Sequence, residues 1–132
     1  RDLSPLLSLL AKKLGKAEEE LRIYDPYYCA GSVKRHLAAL GFPSVHNECE
    51  DFYARLAAGD IPEHDVVVSN PPYSSSEDGG PNHVDRLLQF CLKNGKPFLL
   101  NMPEYVASAA YYSKRFEEFQ SPEPLLLCPY SR

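Results

Sequence analysis

The stretch HDVVVSNPPYSSSEDGG, from His64 to Gly80, decides how the rest of the chain is read. Three consecutive valines predict a strand buried on both faces, as in a parallel sheet. The strand must stop at Asn70-Pro71-Pro72-Tyr73, because proline removes a ladder donor. Pro71 also confines Asn70 to extended geometry. The main-chain carbonyls of Asn70 and Pro71 are then held in fixed directions without partners from regular structure. With the Asn70 side-chain oxygen they form a small acceptor array, and Tyr73 adds a flat face for stacking. Such an array suits a planar amino group on a heterocycle or an amide. Its lone pair is delocalised, and two acceptors, one per N–H, would orient it and push electron density onto nitrogen.

Working outward, the flanking segments alternate between the two periodicities. Ser4 to Leu14 reads as a helix, with Ser4 as N-cap and Pro5 at the first helical position. Leu21 to Asp25 reads as a strand that ends at Asp-Pro. Ser32 is placed to cap a helix that carries Val33, Leu37 and Leu40 on one face and stops at Gly41. Ser44 to Glu48 is a short strand, and EDFYARLAAGD gives a helix ending at Gly59. A polar loop runs from Ser74 to Pro81. Beyond it, Asn82 caps a helix with Val84, Leu87, Leu88 and Cys91 inward and Gly95 as stop. KPFLLNM is a strand, EYVASAAYYSKRFEEF is helical, and PLLLCPY reads as a final strand. This alternation predicts an α/β domain with a mostly parallel sheet and helices on both faces.

The chain has 132 residues, enough for one compact domain. With 44% hydrophobic and 24% charged residues it can bury a core, and its net charge of -4 shows no basic face of the kind a free-standing nucleic-acid binder carries. The four cysteines (Cys29, Cys49, Cys91 and Cys128) form no CxxC pair, and the four histidines are equally scattered. Free thiols in a reduced compartment are expected, with no metal site. No membrane-spanning run or leader pattern is present, so an intracellular protein, cytoplasmic or nuclear, is expected. The termini, Arg1 and Arg132, read as those of a core cut from a longer chain.

In open α/β sheets ligands bind beyond the carboxyl ends of the strands. That selects the residues after Asp25 and those after Ser69. At the first, YDPYYCAGSV puts a carboxylate at a strand end, then a turn with Gly31, then a helix whose first N–H groups are free. Alone, this reads first as an ordinary strand-to-helix turn in which Asp25 binds local amides. After the next strand, Glu48, Glu50 and Asp51 cluster. Glu48 lies nearest the strand end and is the first candidate for ribose hydroxyls, while Glu50 and Asp51 also suit a helix N-terminus.

Taken together, VVVSNPPYS and IYDPYYCAGS resemble two motifs of the class I AdoMet-dependent amino-methyltransferases, from about Leu21 to Met102. Members of that family methylate adenine amino groups in nucleic acid or glutamine amides in proteins. The resemblance implies a Rossmann-like methyltransferase fold and S-adenosyl-L-methionine (AdoMet) as cofactor. Asp25, Pro26, Tyr27, Cys29 and Gly31 would line the cofactor pocket, with Asp25 near the methionine end. Glu48 would take the ribose, with Glu50 and Asp51 as rivals. Asn70 and the Pro71 carbonyl would hold the amine, with Pro72 fixing the turn and Tyr73 stacking on the target. The segment between Glu48 and the fourth-strand motif is shorter than the family pattern, either through an abbreviated strand–helix unit or because HNECED merges two acidic motifs. The implied substrate is adenine in RNA or DNA first, then a protein glutamine, with a partner subunit or appended domain supplying target recognition. Lys34, Arg35, Arg86, Lys114 and Arg115 are the basic candidates for phosphate contact. Tyr111 and Tyr112 read as core before they read as stacking residues. Two other expectations compete: a catalytically silent scaffold of the same fold, and a nucleotide-binding module of unrelated chemistry.

Overall fold

The computed structural model describes residues 3–74 and 82–127. Most of the expected 74–81 loop and the last residues of the expected final strand, with Cys128, lie outside them. Four strands form an all-parallel sheet in the order β2-β1-β3-β4. They are β1 (Ile23–Tyr24), β2 (Val45–His46), β3 (Val66–Ser69) and β4 (Phe98–Leu100). Ile23 pairs with both Val45 and Val66, and Val67 pairs with Phe98. The fold is thus α/β and Rossmann-like.

Period-two alternation sorts the strand residues into two faces. Ile23, Val66 and Val68 face α1 (Ser4–Lys13) and α2 (Val33–Ala39), meeting Leu7, Ala11 and Leu37. Tyr24 and Val67 face α3 (Phe52–Ala58) and α4 (His83–Asn94), meeting Phe52, Leu87, Phe90 and Cys91. All four residues of β3 are buried, which is why its sequence does not alternate. In the third apolar cluster Val84 and Leu88 of α4 meet Val106, Tyr112 and Phe116, and Leu100 of β4 packs against it.

Several local expectations change. Ser4 does not cap α1: the N-cap is Leu3, whose carbonyl accepts from Leu7, and Ser4 is the first helical residue. Ser32 occupies the N-cap of α2 in helical backbone geometry, without a side-chain cap bond. Leu40, placed by its spacing on one face with Val33 and Leu37, is exposed while Leu37 is buried. Asp51 and Asn82 do cap, accepting from the amides of the first turn, and Gly59 and Gly95 end their helices with positive φ. The expected single helix after β4 is broken at Ala109, whose backbone is extended. A 3-10 segment (Glu104–Ser108) precedes the break and α5 (Ala110–Glu118) follows it, so Val106, Tyr112 and Phe116 all reach α4. Over 124–127 no strand forms. Pro122 and Pro124 remove donors, Leu125, Leu126 and Leu127 are exposed, and β4 pairs only with β3 among the described residues.

Candidate functional site

Because β1 and β3 are neighbours in the sheet, the two turns at their carboxyl ends lie side by side. Ser69, the last residue of β3, donates its hydroxyl to Asp25 Oδ1 at 2.7 Å. The Tyr27 amide donates to the same oxygen at 3.2 Å. Asp25 is buried, and desolvation pushes its carboxyl up to about 6 against the pull of those two bonds. No cation among the described residues acts on it. Asn47, directly after β2, donates from Nδ2 to the carbonyls of Asp25 and Tyr27, each at 3.2 Å. It therefore ties the end of β2 to the turn after β1. Its Oδ1 is buried without a partner among the described residues.

The turn itself explains Gly31. Its φ is +69°, and a Cβ there would lie 2.5 Å from the Tyr28 hydroxyl. The open space expected for a ligand beside Gly31 is covered by the chain's own Tyr28 ring. Any side chain at residue 31 would both strain the backbone and displace that ring.

An open cavity of about 330 Å³ lies beyond these strand ends. Of the expected site residues and their rivals, Pro26, Tyr27, Cys29, Glu50, Asp51 and Pro72 line it, joined by Tyr28, Phe52, Tyr53 and His83. Asp25, Gly31, Glu48, Asn70, Pro71 and Tyr73 do not. Its walls are largely aromatic. Tyr27 meets Phe52 edge-on at 5.6 Å between ring centroids, and the Tyr53 and His83 rings lie parallel at 5.7 Å. The Arg86 guanidinium sits 4.5 Å over the Tyr53 ring. Burial holds the Tyr27 phenol well above its ordinary value, so it keeps its proton.

The three acidic rivals have separate fates. Glu48 is exposed and pairs with Lys34 of α2. Glu50, on the cavity rim, is held by Arg55 at 2.6 Å and His46 at 3.0 Å, and these partners lower its carboxyl. Asp51 accepts from the Tyr53 and Ala54 amides through one oxygen, at 3.0 and 3.1 Å.

At the second turn the side-chain oxygen of Asn70 is already engaged. The Tyr73 hydroxyl lies 2.5 Å from it and 3.2 Å from the Asn101 carbonyl. The main-chain carbonyls of Asn70 and Pro71 accept no hydrogen bond among the described residues. Of the expected array, those two oxygens are unpartnered among the described residues and the third is held by the motif's own tyrosine. The Tyr73 ring is 45% exposed, so a face remains for stacking.

Of the basic and aromatic candidates on α5, Tyr112 is buried and Arg115 is held by Asp85 at 2.7 Å, so both belong to the α4–α5 contact. The sequence reading missed Tyr28, Phe52, Tyr53 and His83. A signal was available: Phe52, Tyr53 and His83 open the helices that follow β2 and β3, immediately after the capping residues Asp51 and Asn82. The first turn of such a helix always faces the carboxyl edge of the sheet.

Comparison with known protein families, curated proteins and solved structures returns no match for this chain. No described helix is long and apolar enough to cross a membrane.

Proposed function

We propose that the protein is an AdoMet-dependent N-methyltransferase acting on a planar amino nitrogen, with adenine in RNA or DNA as the first substrate class and a protein glutamine amide as the second. The observation that carries this reading is the adjacency of the two turns. The Ser69–Asp25 hydrogen bond of 2.7 Å joins their roots, and Pro26, Tyr27 and Pro72 contribute to one cavity. The reading also rests on the resemblance of both motifs to the amino-methyltransferases.

The residues fit AdoMet in two respects. A cavity of about 330 Å³ walled by Tyr27, Phe52 and Tyr53 suits a purine nucleoside. Asp25, buried without a cation, suits a positively charged ligand group. When bound, AdoMet supplies a methyl group on a cationic sulfur that leaves as a neutral thioether. The chain's own part is positional. The Asn70 side-chain oxygen, released when Tyr73 turns to stack on the ring that bears the amine, and the Pro71 carbonyl take the two N–H groups, and the prolines keep the turn fixed.

The second reading, a silent scaffold, draws on one specific feature. The chain's own tyrosines cover both expected contact points, Tyr28 over Gly31 and Tyr73 on Asn70 Oδ1. Incubation with labelled AdoMet and separate pools of DNA, RNA and protein distinguishes the two. The enzyme labels one pool, and Asn70→Ala lowers that turnover about a hundredfold with AdoMet affinity nearly unchanged. Full activity of Asn70→Ala contradicts the acceptor role, and a folded protein that binds no AdoMet supports the scaffold.

A further inference from the structure

The cavity wall contains a closed chain of hydrogen bonds whose direction is fixed by counting protons. The Tyr27 hydroxyl contacts the His83 main-chain carbonyl at 3.2 Å, the Tyr53 hydroxyl at 2.9 Å completes the pair of phenols, and Tyr53 in turn meets His83 Nδ1 at 2.5 Å. A carbonyl oxygen only accepts, so the single Tyr27 hydroxyl proton goes to His83 O. The contact between the two phenols must then use the Tyr53 proton. That leaves Nδ1 as the donor in the last contact, and the ring nitrogen must carry hydrogen there. The opposite tautomer leaves one of the three contacts without a proton. In the neutral imidazole so assigned, Nε2 holds the lone pair. It has no hydrogen-bond partner among the described residues, and His83 lines the cavity.

We propose that His83 is a specificity-determining residue that accepts, through Nε2, an exocyclic amino N–H of an adenine ring seated in the cavity against the wall of Tyr27, Phe52 and Tyr53, and so selects amino-purines over oxo-purines. This rests on the methyltransferase reading for the identity of the nucleoside. The proton chain stands without it. A 6-oxo ring presents a carbonyl where adenine presents a donor, and two lone pairs then face each other across the contact. Tyr53 and Tyr27 are positioning residues: they fix which nitrogen of His83 carries hydrogen and so which one can accept.

Two measurements test this. Nitrogen-15 NMR of the free protein at pH 8 is expected to show His83 protonated on Nδ1, with Nε2–H appearing in Tyr53→Phe, which no longer anchors the chain. Nε2–H in the unaltered protein would overturn the assignment. Calorimetric titration with S-adenosylhomocysteine and its deaminated inosine counterpart is expected to favour the amino form at least about tenfold. His83→Phe, which keeps a flat ring, is expected to erase that preference while its thermal unfolding remains cooperative. A preference that survives His83→Phe, or equal binding by the unaltered protein, overturns the inference alone. Binding of neither compound overturns the methyltransferase reading and the role of His83 together.

Discussion

Asp25 and Asp65 sit at opposite ends of the same pair of strands, and the protein treats them in opposite ways. Asp65, just before β3, receives Lys16 at 2.8 Å, Arg22 at 3.2 Å and the Arg22 amide at 2.9 Å. Those bonds outweigh its desolvation and hold its carboxyl well below the usual carboxylate range. Asp25, just after β1, has only a hydroxyl and one amide among the described residues, and its carboxyl rises to about 6. One acid fastens the amino end of the sheet. The other is buried at the carboxyl end with its charge unmatched, at a cost to stability. Groups held at a cost, in the place where such sheets bind ligands, are candidates for function.

The largest effect should come from the fastened acid. Asp65→Asn is expected to lose about 2 kcal/mol at pH 7, since Lys16 and Arg22 keep their charges and lose their partner. Urea unfolding measures it, and a loss under a few tenths would make the two ends alike. Asp25→Asn should act in the other direction. It keeps an oxygen for Ser69 and Tyr27 and removes the unmatched charge, so a gain of about 1–2 kcal/mol at pH 7 is expected. A loss there would break the comparison. The smallest effect belongs to Ser69→Ala, about 1 kcal/mol for one hydrogen bond. That substitution should also move the Asp25 carboxyl further up, which NMR titration would detect.

The pH dependences of the two acids differ in sign. A raised folded-state carboxyl binds its proton more tightly in the folded than in the unfolded chain. Between about 6 and the unfolded value of about 4, Asp25 therefore adds stability as pH falls. A depressed carboxyl does the reverse. The stability from Asp65 is present above about 4 and is lost as pH falls below that value. His64 is buried and its imidazole is lowered by desolvation, so it works against Asp25, costing stability as pH falls below the unfolded imidazole value of about 6.5. The difference between wild type and Asp25→Asn isolates the Asp25 part, because His64 is present in both.

Much of this architecture was legible in the sequence, for reasons that differ by element. The valines of β3 and the capped, amphipathic α4 carry signals stronger than any competing local preference, and both formed where expected. The order β2-β1-β3-β4 followed from the strand–helix alternation only as far as a parallel sheet. Which strands adjoin is a matter of tertiary packing. PLLLCPY misled over its described part because apolar content alone does not make a strand when flanking prolines cannot join a ladder. At the site, Asp25 and the Asn70–Tyr73 turn were legible because proline and glycine restrict the backbone in known ways. The second layer was not. That Tyr28 would fold over Gly31, that Tyr73 would hold Asn70, and that Tyr27 and Tyr53 would meet His83 depends on side chains from four segments meeting in space. No single stretch of sequence encodes that.

The central claim is that Asp25 is left unmatched for a cationic ligand, and calorimetry can read this directly. AdoMet is titrated at pH 6 in two buffers of different ionisation enthalpy. A cation beside Asp25 favours its ionised form, so binding should release about half a proton at that pH. Asp25→Asn should show no such release and much weaker binding. Tight AdoMet binding without proton release, or undiminished binding by Asp25→Asn, would contradict the account.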